Sequence, residues 1–494
     1  IVQLFNLDIN LNSFHKNIPN IFDYTDKEYG VVFDLPLAAL EVFFGIKESQ
    51  NIFFLRHLMT FIIFYISSIS FYFLCLKLFK DKTLSIIGFF FLILSPRIFA
   101  QSFYNPKDII FLSFFIFAFF FNLKFLYSQK NTNIFFAALF SALMTDIRVI
   151  GIFLPFLTIF FIFLNTNKES LKTKIYISSK YFLIFLVFLF IFWPFLWGNG
   201  FLNLLNAINE FKNYPWMGDV LYNGKFINAK FVPWHYFFVW FIITTPVLFS
   251  LIIFSGLFLA LKIFFINLIN IEKNRFKNFW NNYSEMVLIY FFFIFFIPIF
   301  LVILLNSTLY TGWRQLYFLY PPLIILGIYF LKYIKESRKI YFKIFLFLFA
   351  VQSIFLVYFI AKNHPHQHVY FNKFANVLIK DKFSYDYWGV SNHTTIKFLL
   401  DSKNLSFPIK ISSASFTDLN KTKLILDKNY QNKFIFVADN HDEADFIFSN
   451  FYYYKNPIFD RKRFEIPANF KSYYKFKVDE KVINELYINS LKYN

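Results

Sequence analysis

Residues 109–127 read IIFLSFFIFAFFFNLKFLY, an apolar run broken only by Ser113, Asn122 and Lys124. Crossing the hydrocarbon core of a bilayer takes about 20 apolar residues in helical form, and this run has that length. Nine further stretches qualify or nearly do, at 54–79, 84–100, 133–145, 149–165, 181–199, 235–262, 286–306, 315–332 and 343–361. The segment 133–145 is short and is expected to span only in part. The chain therefore reads as an α-helical polytopic membrane protein with ten visible spans. Because it starts with a polar stretch and with Ile1 rather than Met, a missing first span is expected before it.

Composition agrees with this reading. Hydrophobic residues make up 57% of the 494, mean hydropathy is +0.50, and charged residues are only 16%, below the quarter or so found in soluble domains. A water-soluble globule and a disordered chain are both excluded. A formal net charge of +19 could suggest a polyanion partner, but there is no long basic run, so nucleic-acid binding is not expected. The 83 phenylalanines look like a bias of the source genome and are read as lipid-facing filler. Cys75 is the only cysteine, so no intrachain disulfide is available.

Sidedness follows from the loops, since Lys and Arg collect on the cytoplasmic side. Alternate short loops, around Lys77–Lys82, Lys124–Lys130, Lys168–Lys180, Lys262–Lys277 and Lys332–Lys343, hold eighteen of them. The opposite short loops hold four, Arg97, Lys107, Arg148 and Arg314. Residues 1–53, 200–234 and everything from 362 onward are thereby expected outside. Beyond 362 the apolar runs shorten to strand length, as at Phe434–Val437 and Phe446–Phe451, and alternate with helix-like stretches such as Thr394–Leu400. The expected division is a transmembrane domain at 1–361, with its first extracytoplasmic loop at 1–53, and a small extracytoplasmic α/β domain at 362–494.

All four outside cations lie in or beside chemically loaded clusters. The first loop carries Asp23, Asp26 and Glu28 in DYTDKEYG, followed by the amphipathic stretch Leu35–Phe44. Carboxylates crowded at a membrane surface would be partly desolvated, which suits one of them to take a proton. The turn SPRIFAQSFYNPKD at 95–108 brings Arg97, Asn105, Lys107 and Asp108 between two spans, more charge than a turn requires. Asp146 and Arg148 form a third pair, and Trp313 and Arg314 in YTGWRQLY a fourth. Ionisable residues at such junctions are costly unless paired or used. His364, His366 and His368 could share a metal, but Pro365 and their place just after the last span favour a connector, and His235 reads as an interface anchor.

Together these motifs, with VPWHYFFVWFIITTP at 232–246, YTGWRQLYFLYPPL at 310–323 and HPHQHVYFN at 364–372, resemble the polytopic glycosyltransferases of the GT-C fold. The likeness is to the bacterial family akin to protein O-mannosyltransferases and lipid A aminoarabinose transferases, and it covers residues 20–372. It implies a multi-pass enzyme of the bacterial inner (cytoplasmic) membrane, working as a monomer. Its active site and C-terminal domain would lie outside, where a sugar passes from a polyprenyl-phosphate carrier, with inversion, to a lipid, glycan or protein acceptor. It also implies Asp26 as general base, with Glu28 and Asp23 as rivals because Lys27 splits the acidic pair typical of the family. Asp108 would support the acceptor or a divalent cation, and Lys107, Arg148 and Arg314 would hold the carrier phosphate. A transporter or flippase for a lipid-linked or anionic substrate is the competing reading; transporters tend to place charge near mid-membrane, whereas these charges gather at one face. A purely structural protein presenting the C-terminal domain would leave the charge clusters unexplained.

Overall fold

The computed structural model describes residues 26–165, 170–212, 218–270, 279–376, 379, 381–402, 405–454 and 456–493. Asp23 lies outside them. The chain is mostly helical with a small sheet region near its C-terminus, and among the described residues seven helices are long and apolar enough to cross a membrane, eight if a bent pair is counted as one span. It is thus a multi-pass membrane protein by helix length and composition.

The ten expected spans are corrected at three places, and the fourth span is short, as expected. The stretch 84–100 is two helices, α3 (Lys82–Ile93) and α4 (Pro96–Tyr104), bent by 62°, because Pro96 cannot continue a helix but suits the first turn of a new one. The stretch 235–262 splits at Thr245–Pro246 into α10 (Tyr236–Thr244) and α11 (Val247–Ile269) for the same reason. The stretch 149–165 supplies only the twelve residues of α7 (Phe153–Leu164) after a 3-10 turn, about 18 Å at 1.5 Å per residue. The stretch 133–145 is the 17-residue α6 (Asn131–Ile147), also short of a full crossing. The remaining long helices are α2 (Ser49–Phe79), α5 (Asp108–Tyr127), α8 (Leu171–Phe192), α12 (Tyr283–Leu304), α13 (Tyr320–Ser337) and α14 (Lys339–Lys362). The amphipathic stretch is α1 (Asp34–Phe43), which buries Leu37 and Ala38 and exposes Phe43 and Phe44.

Lipid tails are as apolar as the helix faces, so the bundle needs polar fasteners and close packing to fix its partners. One fastener joins α5, α6 and α8. The Tyr181 hydroxyl donates to Asn122 Oδ1 at 2.8 Å, and Asn122 Nδ2 donates to Ser141 Oγ at 2.9 Å, all fully buried. Stacked rings do the packing, as where Phe91 of α3 lies 4.0 Å from Phe249 of α11.

At one end of the bundle the loops at 94–108, 147–152, 309–319 and 363–372 meet. The segment after α14 stays on the helices there: Asn372 Nδ2 donates to the carbonyls of Ile242 and Thr245, and Phe371 and Phe383 pack beside Trp240. Beyond it, α15 (Val390–Asp401) packs on a five-stranded sheet of order β4-β3-β5-β7-β6, where β3 (Ile409–Ser413) runs parallel to β4 (Phe434–Phe436) and β5 (Phe446–Ser449), while β7 (Lys481–Asn489) pairs antiparallel with β5 and β6 (Phe470–Val478). The α2 helix, about 46 Å long, rises past the bundle to this domain, where Ser49 and Gln50 donate to the carbonyls of Leu424 and Ile425. A hairpin of β1 (Asp219–Tyr222) and β2 (Lys225–Asn228) meets the sheet from the other side.

Candidate active site

Asp108 opens α5, where the positive end of the helix dipole favours a carboxylate. The preceding Asn105-Pro106-Lys107 turn sets its aim: Asn105 Oδ1 accepts the Asp108 backbone N–H at 3.0 Å, and Asn105 Nδ2 donates to Asp108 Oδ2 at 2.9 Å. The carboxylate is 1% exposed and takes a guanidinium on each oxygen. Arg148 Nη2 reaches Oδ1, and Arg314 Nη1 lies 3.1 Å from Oδ2. Arg148 gets there because its extended backbone breaks the chain between α6 and the 3-10 turn at Val149–Ile152. Arg314 gets there because Gly312 takes a left-handed φ of +81°, turning the loop before the 3-10 run at Arg314–Leu319. A side chain at Gly312 would also meet the Tyr387 hydroxyl at 2.9 Å.

Three of the four cations of the lysine-poor loops therefore come together although they are far apart in sequence. Arg148 acts electrostatically on Lys107, whose Nζ lies over the Tyr29 ring. Burial, with Arg148 nearby, lowers the Lys107 pKa to about 8, so the ammonium still carries most of its charge at neutral pH. Asp26 and Asp34 pull the other way on Lys107, which puts both acids beside the cluster. Asp26 itself is exposed, and Glu28 half-buried. Exposed as it is, Asp26 lacks the desolvation expected of the first-loop acids.

Asp146 has a different job from the one its pairing with Arg148 suggested. Its Oδ1 accepts the Val32 N–H at 3.0 Å and its backbone carbonyl accepts the Gly30 N–H at 3.1 Å. A Cβ on Gly30 would fall 2.1 Å from the Asp146 carboxylate. The acid is a clasp for the first loop, and Gly30 is what lets the loop approach it.

Arg97 stands apart from the cluster. Fully buried, it donates from Nε to the Tyr370 carbonyl at 2.9 Å and lies between the rings of Trp240 and Phe371. Its two Nη atoms have no hydrogen-bond partner among the described residues. A polar chain links the regions: Tyr317 receives a hydrogen bond from Gln101 Nε2 at 2.8 Å, and Gln101 Oε1 accepts from Asn105, which also holds Asp108. Trp313 is a packing anchor, donating from Nε1 to Thr244 Oγ1 at 2.9 Å and meeting Phe237, Phe241 and Tyr317 edge-on.

Several neighbours carried no sequence signal that singled them out. Asp34 and the buried Glu41 share Arg56 of α2, at 3.3 and 2.7 Å, which ties α1 to the bundle beside the cluster. Trp388 presents its ring to Arg314 at 4.7 Å and to Tyr104 edge-on at 5.7 Å. Tyr104 Oη, Tyr387 Oη and Trp388 Nε1 are buried without partners among the described residues. The dense aromatic run FSYDYWG at 383–389, directly downstream of the last span, was the available hint.

The three histidines of the 364–368 segment have separate partners: Gln367 for His364, Thr394 at 2.9 Å for His366, and Asp386 at 2.9 Å for His368. Among the described residues no group of three or more His, Cys, Asp or Glu is placed to hold a metal ion. A divalent cation at Asp108 would have to displace an arginine, so these residues do not fit one there. His235 Nδ1 pairs with the Tyr222 hydroxyl at 2.7 Å.

Chemically the site gathers three cations, Lys107, Arg148 and Arg314, about the Asp108 carboxylate, with Asp26, Asp34 and Asp146 within electrostatic reach of Lys107. Arg148 and Arg314 keep 12% and 21% of their side chains exposed, and each has a buried Nε without a partner among the described residues. Such an arrangement suits a phosphate, whose oxygens match the planar fork of a guanidinium. Compared with models of known protein families and with curated proteins, the chain matches none.

Proposed function

We propose that the chain is a membrane glycosyltransferase that takes a sugar from a polyprenyl-phosphate carrier and passes it to a lipid, glycan or protein acceptor on the extracytoplasmic face. The observation that carries this reading is the convergence of Lys107, Arg148 and Arg314, from three separate loops, on one end of the bundle around a single carboxylate. A polyprenyl phosphate leaves as an anion, and cations preorganised at the departing oxygen lower the barrier to its departure. Asp108 is a positioning residue in this account, holding the two guanidiniums at the spacing a phosphate needs. Asp26, at the rim of the cluster, would take the proton of the acceptor as it attacks the sugar from the face opposite the phosphate, giving inversion. Charge gathered at one end of the bundle, rather than at its middle, weighs for a transferase over a transporter.

The excess of Lys and Arg at the opposite end of the bundle supports placing that end in the cytoplasm and the arginine end outside. The test is direct: protein purified in detergent and reconstituted with radiolabelled polyprenyl-phosphate hexose should release polyprenyl phosphate and move label into a lipid, glycan or protein fraction. Label that stays on the carrier with every acceptor fraction supplied would refute the proposal.

A further inference from the structure

The C-terminal sheet has a topology with a built-in crevice. Its strand β3, second from the edge, is followed in the chain by β4 on one side and β5 on the other, all three parallel. Chain leaving the carboxyl ends of β3 and β5 must therefore diverge, and open parallel sheets place ligands at such a switch point. A pocket of about 710 Å³ occupies that position here, reaching from Ser413 and Ala438 across to Asp219 of the β1–β2 hairpin. Its volume is in the range of small-molecule sites.

The walls define what fits. Phe416 and Phe459 stack at 4.7 Å, Tyr453 meets Phe416 edge-on at 5.5 Å, and Arg463 crosses Phe416 at 5.3 Å, so flat apolar faces alternate with polar edges. The polar edges are Asp219, held by Asn456 at 3.0 Å, and Arg463, whose buried Nε has no partner among the described residues. A nucleotide is disfavoured: the loop after β3, Ala414–Asp418, contains no glycine, and Asp418 caps its own short helix, putting a carboxylate where a phosphate would sit. The lining carries two carboxylates, Asp219 and Asp418, against one guanidinium, Arg463, which disfavours anions in general. The exposed ring surface of Phe416 in this aromatic wall, with acid, amide and guanidinium groups beside it for hydroxyls, is complementary to the C–H face of an uncharged sugar.

We propose that this pocket binds a neutral glycan. As the acceptor site it rests on the transferase reading above, because Tyr452, which lines the pocket, lies beside Thr311 and within electrostatic reach of Arg314. The pocket thereby backs onto the loop that carries one of the phosphate-holding cations, and a glycan seated in it would have one end near the reaction.

The full chain in detergent, fluorescently labelled, is applied to an array of neutral, sulfated, phosphorylated and sialylated glycans, alongside Phe416→Ala and Arg463→Gln. The expected result is retention on a subset of neutral glycans, weakened at least tenfold in both variants while their thermal unfolding matches that of the parent. Three results would overturn the proposal: no retention on any glycan, retention unchanged in both folded variants, or preference for the anionic glycans. Because the readout is binding, a chain that binds neutral glycans yet never consumes the carrier would keep this site while refuting the transferase, and the converse result would refute this site alone.

Discussion

The two ends of the helix bundle use charge in opposite ways. At the lysine-rich end most of the ion pairs and ring contacts are open to solvent: Lys335 meets Asp81 with both side chains partly exposed, Lys332 and Glu336 stand 3.9 Å apart on one helix face, and Lys77 and Lys124 lie over Tyr127 and Phe120, while the buried Lys174 is held by backbone carbonyls. At the arginine end one buried carboxylate holds two guanidiniums, with a half-buried lysine close by. Exposed pairs contribute about 0–1 kcal/mol each, so the first end needs no function beyond topology. Charge drawn together and largely out of water is costly unless it is paired or used. The contrast locates the chemistry.

The sharpest way to break the comparison is to remove the anchor at one end. Asp108→Ala leaves Arg148 and Arg314 without their acid, and breaking a buried pair costs about 3–5 kcal/mol. Turnover of the labelled carrier should become undetectable and the detergent-solubilised protein should unfold at a clearly lower temperature. Asp26→Asn should differ in kind, reducing turnover by about 10²-fold, the usual worth of a positioned base, with thermal stability and carrier binding unchanged. If Asp34→Asn produces that loss instead, the base moves to the acid that Arg56 holds at 3.3 Å.

A smaller effect is expected of Arg314. Arg314→Ala should raise the carrier KM more than Arg314→Lys does, since an ammonium still meets a phosphate as a point charge while losing the stacking on Trp388. Acidity sharpens the picture further out. Burial lowers the His366 pKa from 6.5 to about 4, so the unfolded chain takes up a proton that the folded one refuses. The stability this histidine contributes is full above about pH 6.5 and is lost as pH falls towards 4. Thermal unfolding in detergent from pH 7.5 to 4.5 should show the decline, and His366→Gln should flatten it. Smallest of all, Lys335→Ala at the lysine end should shift stability by under about 1 kcal/mol and leave turnover untouched.

How much of this was legible in the sequence depended on which force placed each residue. Burial of long apolar runs is a property of composition, so the long helices α2, α5, α12 and α14 were readable directly. The breaks were harder, since an apolar stretch such as 235–262 hides its Thr245–Pro246 kink within a run of one hydropathy. The convergence of Lys107, Arg148 and Arg314 was expected because charge outside the positive-inside pattern must be matched somewhere. Which acid would match it was not readable, because Asp146, two residues from Arg148, turns to the first loop while Asp108 takes both arginines. Trp388 and Tyr387 escaped notice because the aromatic run that holds them marks a packed segment without showing that the C-terminal domain folds it back over a site.

The most direct test of the central claim uses a polyprenyl phosphate bearing a photoreactive group beside its phosphate. Crosslinked to the protein in native membranes and mapped by mass spectrometry, it should attach to the loops carrying Lys107, Arg148 and Arg314, and the adduct should fall at least tenfold in an Arg148→Ala, Arg314→Ala double variant. Attachment at the lysine-rich end around Lys335, or an adduct at the arginine end that the double variant leaves intact, would contradict the account.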